Sequence, residues 1–294
     1  MRLKRSPPAR KHQIESARVP DFAVQTLLRT PSVTVRDICC AGGCRHQSAE
    51  ECASATELVF PYRGVYARHL GRDQAVAEAN QVLFFNAAEA YRVSHPVAGG
   101  DASLTLNIDE KLLRELAPKA LLRDGRSLAF RHQRSRIDPR SQALVALLRH
   151  GLRQGTAQPL EAESLALTLV QRALGSRTSH TVDAGIAPRR LADRVKLVLA
   201  GDLSRRWTLG EIAAEVGGSP VYLTQVFRRV EGMPLYRYHM RLRLARALSL
   251  LPQYDDLTAL SLDLGFSSHS HFSAAFREAY GRSPSEFRQS ALPH

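Results

Sequence analysis

Between residues 33 and 109 the apolar positions come in short runs separated by turn-forming residues. Leu58-Val59-Phe60 leads through Tyr62 and Gly64 to Val65-Tyr66. Gln81-Val82-Leu83-Phe84-Phe85 ends at Asn86, and Tyr91-Arg92-Val93-Ser94 runs to His95-Pro96. Gly99-Gly100-Asp101 then turns into Leu104-Thr105-Leu106-Asn107-Ile108. Such β-branched and aromatic runs, broken by Gly, Pro, Asn and Asp, predict an antiparallel β-sandwich or barrel. From Asp109 the period lengthens. Lys111–Leu116 reads as one short helix. Pro139–Leu152 carries Leu144, Leu147, Leu148 and Leu152 at helical spacing, and Glu161–Leu174 repeats the theme with Leu165, Leu169 and Val170. Two such stripes with a short connection predict a helical hairpin, packed on the barrel or forming a dimer interface over 138–180.

Small and polar residues (Gly175, Ser176, Thr178, Ser179, Thr181, Gly185) follow, and from Ala187 the pattern is almost wholly helical. The expected fold class is α+β. A disordered basic arm covers 1–20, an antiparallel β-barrel domain with its helical hairpin covers 21–180, and a linker covers 181–187. An all-α domain of seven helices with two helix-turn-helix units covers 188–294.

Charge sharpens this picture. The net charge is +13, and residues 1–20 hold six Lys/Arg against one Glu, while 186–294 hold fifteen against ten Asp/Glu. A basic excess at the two ends favours an anionic partner such as nucleic acid. No apolar run approaches the roughly 20 residues needed to cross a bilayer. The basic N-terminus breaks at Pro7-Pro8 without an apolar stretch to follow, so it is not read as a secretory signal. A cytoplasmic protein with reduced thiols and no membrane partner is the expectation.

The helical region contains an internal repeat. Ile212, Val216 and Gly217 match Leu260, Leu264 and Gly265 at an offset of 48, and Leu223, Phe227 and Gly232 match Phe272, Phe276 and Gly281 at 49. Each copy reads as a helix-turn-helix. Ala213 and Ser261 are small where two helices cross closely. Gly217 and Gly265 suit a turn of positive φ. Ser219 and Ser267 are placed to cap the following helices. Leu223/Phe227 and Phe272/Phe276, four apart, face inward and leave the opposite side free. The intervening helix begins at Pro234, with an apolar stripe of Leu235, Tyr238, Leu242, Ala245 and Leu248. Arg237, Arg241, Arg243 and Arg246 decorate the rest; they are expected over phosphates, with an internal ion pair as the alternative for Arg243.

Several residues have a spacing of their own: Ile212-Ala213, Gly217, Ser219-Pro220 with Tyr222-Leu223, Phe227-Arg228, Gly232, and Tyr238 with Arg243 and Ala247. Further on come Gly265-Phe266-Ser267, Ser270 with Phe272, Phe276-Arg277, and the closing Gly281-Arg282-Ser283-Pro284-Ser285-Glu286-Phe287-Arg288. On these the stretch from about 190 to 290 resembles the AraC/XylS family of bacterial transcription regulators. One helix-turn-helix pattern is weak, but two at this spacing with that closing motif are specific. Ser261 departs from the family's frequent Ala.

The resemblance implies double-stranded DNA as partner, with base readers on the exposed faces of both second helices: Val221, Thr224 and Gln225, then Ser268, His269, His271 and Ala274. Gln225 suits adenine, Val221 and Thr224 suit thymine methyls, and His269 and His271 suit guanine acceptors. Arg228, Arg229, Arg277 and Arg282 are expected on phosphates, which position without specifying. Ala274 puts a short side chain where a long reader would fit. The resemblance further implies RNA polymerase as a partner, more often activation than repression, and a cupin-like sensing or homodimerising module for an unknown effector. Metal-dependent cupin enzymes need an HxH pair, a Glu and a further His. His69 and His95 stand alone without that spacing, so no enzyme is expected; a cupin-type enzyme carrying a DNA-binding domain is the alternative.

All four cysteines fall within fourteen residues, Cys39, Cys40, Cys44 and Cys52, with His46 among them. Thiolates plus imidazole suit zinc or another soft metal. Arg45 would favour a reactive thiolate and thus a redox or electrophile sensor. Cysteines packed at a strand end, with no chemistry, are the third reading.

Overall fold

The computed structural model describes residues 22–43, 46–125, 127–175 and 185–291. The expected arm, Cys44, Arg45 and residues 181–184 of the expected linker lie outside them. The N-terminal part is built from β1 (Phe22–Arg29), β2 (Val33–Cys40), β3 (Glu51–Cys52), β4 (Glu57–Arg63), β5 (Tyr66–Leu70), β6 (Asp73–Ala77), β7 (Gln81–Phe85), β8 (Ala90–Ser94), β9 (Asp101–Ile108) and β10 (Arg134–Arg136). They form a six-stranded sheet in the order β1-β2-β9-β4-β7-β10 and a four-stranded sheet in the order β3-β8-β5-β6. Neighbours are antiparallel, as the short punctuated runs predict. The result is a curled half-barrel.

The β region starts earlier than its apolar pattern suggests. In β1, Phe22 and Val24 are largely exposed on the outermost strand, which blurs the alternation that marks a half-buried strand. β10 contains Arg134-Ser135-Arg136 and no apolar residue. It is a strand because it pairs with Leu83, Val82 and Gln81 of β7, a long-range cause that no local period records.

One face of the six-stranded sheet presents Val35, Leu58, Phe60, Val82, Leu104 and Leu106 to three helices: α1 (Glu110–Leu116), α2 (Pro139–Gln154) and α3 (Pro159–Leu174). The helical hairpin of α2 and α3 is thus packed on the half-barrel, and α3 spends Ala162, Ala166, Leu169, Val170, Ala173 and Leu174 there. Between the two sheets sits Arg68, fully buried. Its guanidinium donates to the Phe84 carbonyl at 2.7 Å and lies 4.0 Å from the centroid of the Phe85 ring. A buried cation tolerates this place because carbonyl, ring and Glu89 surround it.

The C-terminal part contains seven α-helices among the described residues: α4 (Ile186–Gly201), α5 (Leu209–Val216), α6 (Pro220–Glu231), α7 (Leu235–Leu250), α8 (Leu257–Asp263), α9 (His269–Tyr280) and α10 (Pro284–Ala291). They bury two apolar clusters, one around Leu223, Phe227 and Tyr238, the other around Leu248, Phe272 and Phe276. α2 serves both parts. Val145 and Leu148 face the sheet core, while Ala146 joins the second helical cluster and the Gln142 side chain accepts from the Tyr280 hydroxyl.

The junction between the parts is ionic and buried. Lys196 of α4 is fully buried, 2.6 Å from Glu231 at the end of α6 and 3.6 Å from Asp193. Arg134 of β10 meets Asp193 at 2.7 Å. The Tyr238 hydroxyl donates to Glu78, and Gln81 donates to Glu231 at 3.5 Å. Burial alone would raise the Glu231 carboxyl, but Lys196 and Arg134 beside it bring it below the usual range. Removing Lys196 would take away the cation in direct contact with the buried Glu231 carboxylate, a loss of about 3–5 kcal/mol. Urea unfolding of Lys196→Ala is expected to show that loss; a midpoint unchanged from wild type would mean that the junction does not stabilise the fold.

Candidate nucleic-acid interface

The first helix-turn-helix starts with a capping box. Thr208 Oγ1 accepts from the Glu211 N–H at 3.2 Å, and Glu211 accepts from the Thr208 N–H at 2.7 Å. That backbone bond and Arg205 pull the Glu211 carboxyl down to about 2. α5 ends at Gly217, and Ser219 caps α6 by accepting from the Tyr222 N–H at 3.2 Å. Pro220 follows in the first turn. The inward face of α6 buries Leu223, Val226 and Phe227; the outward face exposes Val221, Gln225, Arg228 and Arg229. Thr224 is half-buried, and its hydroxyl donates back to the Pro220 carbonyl at 2.9 Å, so its methyl is the group left to make contacts. Tyr222 is 53% exposed between these residues. Its residue type marks only the motif in the sequence, yet it lies three residues from Gln225 and seven from Arg229, on one helical face.

In the second unit Asp256 caps α8, and Ser261 is buried with its hydroxyl on the Thr258 carbonyl at 2.8 Å, so the polar substitute for alanine is satisfied locally. The cap of α9 corrects an expectation. Ser268, not Ser267, accepts from the backbone of His271, at 3.1 Å. The extra residue in this turn moves the cap by one, and Ser267 instead bonds His271 Nδ1 at 3.0 Å. Phe272 and Phe276 are buried, while His269, His271, Ala274 and Arg277 are exposed on α9, with Arg282 exposed beyond its end. His269 contacts Ser273 at 3.3 Å, and the His271 ring stands edge-on to Phe266, which fixes both imidazoles. Arg228, Arg229, Arg277 and Arg282 take part in no ion pair among the described residues, although Glu286 lies near the last two.

The spacer helix α7 departs from its reading. Its apolar stripe is buried as expected, but three of its four arginines are not free for DNA. Arg241 donates to the Ile137 carbonyl, and Arg246 is half-buried. Arg243 is 7% exposed and forms no ion pair among the described residues. It donates to the carbonyls of Leu203 (2.6 Å), Arg205 (2.9 Å), Ser204 (3.1 Å) and Gly265 (3.1 Å). Those groups belong to the loop leading into the first unit and to the turn of the second. At Gly265, φ is +79°, and a Cβ would come within 2.1 Å of the Ser204 carbonyl oxygen, so only glycine fits. In the closing motif, Arg288 similarly donates to the carbonyls of Tyr254 and Asp255 ahead of α8.

Residues 212–290 match the helix-turn-helix domain family. The C-terminal domain is thus of the AraC type. The transcriptional activator RhaR of Klebsiella pneumoniae is 30% identical over 161 residues, 54% of this chain and 50% of that protein. The regulator GadX of Escherichia coli O6:H1 is 26% identical over 227 residues, 77% of this chain and 80% of that protein. A solved AraC-type regulator from Chromobacterium violaceum aligns with 37% of this chain and 100% of its own, at 28% identity and a TM-score of 0.35. The chain spans half or less of the length of the first three curated relatives it matches. The AraC-type domain therefore accounts for α5 to α10, and the half-barrel is described by its own residues.

The predicted cysteine set does not assemble among the described residues. Cys39 and Cys40 end β2 as consecutive residues on opposite faces. Cys39 packs against the sheet core, 3.7 Å from the Tyr62 hydroxyl. Cys52 is exposed on β3, and His46 is exposed in the connecting loop. Cys40 meets His95 and Asp101 instead, so His95 does not stand alone. His69 bonds Ser94 at 2.8 Å.

Two measurements follow from this geometry. Arg243→Met would strand four backbone acceptors, each worth about 1–3 kcal/mol when buried unpaired. A loss of at least about 3 kcal/mol is expected by urea unfolding, with only partial recovery in Arg243→Lys, which lacks the planar fork. Equal stability of Arg243→Lys and wild type would refute the carbonyl clamp. Burial holds His150 and His239 at about 4, helped by Arg149 and Arg243 respectively. Their folded values lie below the unfolded 6.5, so stability is complete above pH 6.5 and falls as pH drops toward 4. A double His150→Asn, His239→Asn variant should flatten that slope in pH-dependent thermal melts; an unaltered slope would assign it elsewhere.

Proposed function

We propose that this protein is a sequence-specific DNA-binding transcription regulator whose helices α6 and α9 enter successive major grooves on one face of the duplex. The observation that carries this reading is a pair of exposed helix faces with different side chains, locked together by α7 and the Arg243 clamp. Readers on one face of B-DNA lie about 34 Å apart, one helical turn. Val221, the Thr224 methyl and Gln225 read bases in the first unit, and Ser268, His269, His271 and Ala274 face the second groove. Because the Ser268 hydroxyl is spent on its cap and Ala274 is short, the first unit carries more of the discrimination. Arg228, Arg229, Arg277 and Arg282 hold phosphates.

The remaining roles follow the family. RNA polymerase is the protein partner, and activation is favoured over repression, in keeping with the K. pneumoniae relative's description as an activator. The half-barrel with its hairpin, residues 21–180, receives an effector signal and supports a homodimer. The alternative, an enzyme barrel tethered to DNA, would need a metal triad at cupin spacing, which the sequence does not provide.

Mobility shifts at physiological salt test the reading. The protein should bind its own upstream region about 10³-fold or more tighter than scrambled DNA; equal affinity would reject it. Gln225→Ala should cost about 1–3 kcal/mol on the best site and relax one base position. Arg228→Ala should weaken all sequences alike and flatten the salt dependence. If both variants affected every sequence equally, the division between readers and phosphate contacts would fail.

A further inference from the structure

Cys40 and Asp101 are directly paired across β2 and β9, the last residue of one strand opposite the first of the other. His95, one residue past the end of β8, reaches the same point. A ligand atom from each of the three lies within 4.8 Å of the other two. His95 and Asp101 are buried, at 7% and 6% exposure, and His95 Nε2 meets an Asp101 carboxylate oxygen at 2.8 Å. The other ring nitrogen, Nδ1, is buried without a hydrogen-bond partner. The Cys40 sulfur accepts the Gly42 N–H at 3.4 Å. The backbone is drawn tight around this point. Gly100, at φ +68°, sits so close to β2 that a Cβ would come within 2.2 Å of the Cys40 carbonyl oxygen.

We propose that Cys40, His95 and Asp101 form a binding site for one zinc-class divalent cation. The donor set is one sulfur, one nitrogen and one oxygen, a combination that borderline-soft ions accept and that calcium or magnesium do not favour. In a tetrahedral site with bonds of about 2.0–2.3 Å, neighbouring ligand atoms stand roughly 3.3–3.8 Å apart. To reach those separations the His95–Asp101 bond must open by about half an ångström, and a ligand pair at the 4.8 Å limit must close by about one. The charge balances as well. A thiolate, a carboxylate and a neutral imidazole cancel the two positive charges of the ion, so a net neutral unit replaces separate buried polar groups. Binding therefore releases the Cys40 thiol proton. Three protein ligands leave one coordination position open. The ion would staple the ends of β2 and β9 to the β8–β9 connection, independently of DNA. Asp101 also receives Arg63 on its carbonyl, and the neighbouring Tyr62 carbonyl receives Ser249 of α7 at 3.1 Å, so the staple lies beside the docking of the AraC-type domain.

The test uses the full chain, purified anaerobically, stripped with a chelator and titrated with Zn²⁺ or Co²⁺. One equivalent should bind, one proton per ion should be released in weak buffer, and Co²⁺ should produce a thiolate-to-cobalt charge-transfer absorption. Cys40→Ser and His95→Ala should weaken binding at least about tenfold, the scale on which even supporting contacts act. Cys39→Ser and Cys52→Ser should leave stoichiometry and spectrum unchanged. Wild-type protein that takes up no cobalt, or that binds it without a thiolate band, overturns the proposal whatever the variants do. So does loss of the band in Cys39→Ser or Cys52→Ser with Cys40→Ser unaffected.

Discussion

Arg243 reaches from the buried side of α7 to four backbone carbonyls, three in the loop that leads into α5 and one in the turn between α8 and α9. Carbonyls at loop and helix ends need donors when water is excluded, and a guanidinium supplies five in a rigid plane. A single side chain therefore satisfies the loops of both helix-turn-helix units and sets one against the other. The absence of a side chain at Gly265 makes this approach sterically feasible. Paired groove reading needs two helices at a set separation, and this clamp supplies the rigidity that such a separation requires.

The same helices are held from the other side. Glu231, at the end of α6, is anchored by Lys196 and Gln81, while Tyr280, at the end of α9, bonds Gln142 of α2. Gly232, just past α6, lies against the Arg136 guanidinium of β10. Each outward-facing helix thus ends on a contact with the N-terminal part. A change in the half-barrel has a short physical route to both, through the buried charges at the end of α6 and the Gln142–Tyr280 bond at the end of α9.

Much of this was legible in the sequence, and what was missed has local causes. The two units, their turns and the apolar stripe of α7 follow from helical periodicity and from Gly217, Gly265 and Pro234, because local pattern decides them. The four strands read from Leu58 to Ile108 were legible for the same reason. β10 was not, because only pairing with β7 makes Arg134–Arg136 a strand. The role of Arg243 was hidden because a charged side chain on a helix has the same sequence signature whether it meets phosphate, carboxylate or carbonyl. The cysteine cluster misled by proximity along the chain. Consecutive residues in a strand face opposite ways, so Cys39 and Cys40 part company, and Cys40 finds partners more than fifty residues away.

The central claim is that two helices held in fixed relation read two neighbouring grooves. Chemical footprinting of the full chain on its own upstream DNA tests it most directly, with methylation protection for major-groove guanines and hydroxyl radicals for the backbone. The account predicts two protected major-groove segments on one face, about one helical turn apart, with sharper sequence dependence under the first unit. A single protected segment, or protection that ignores sequence, would contradict it.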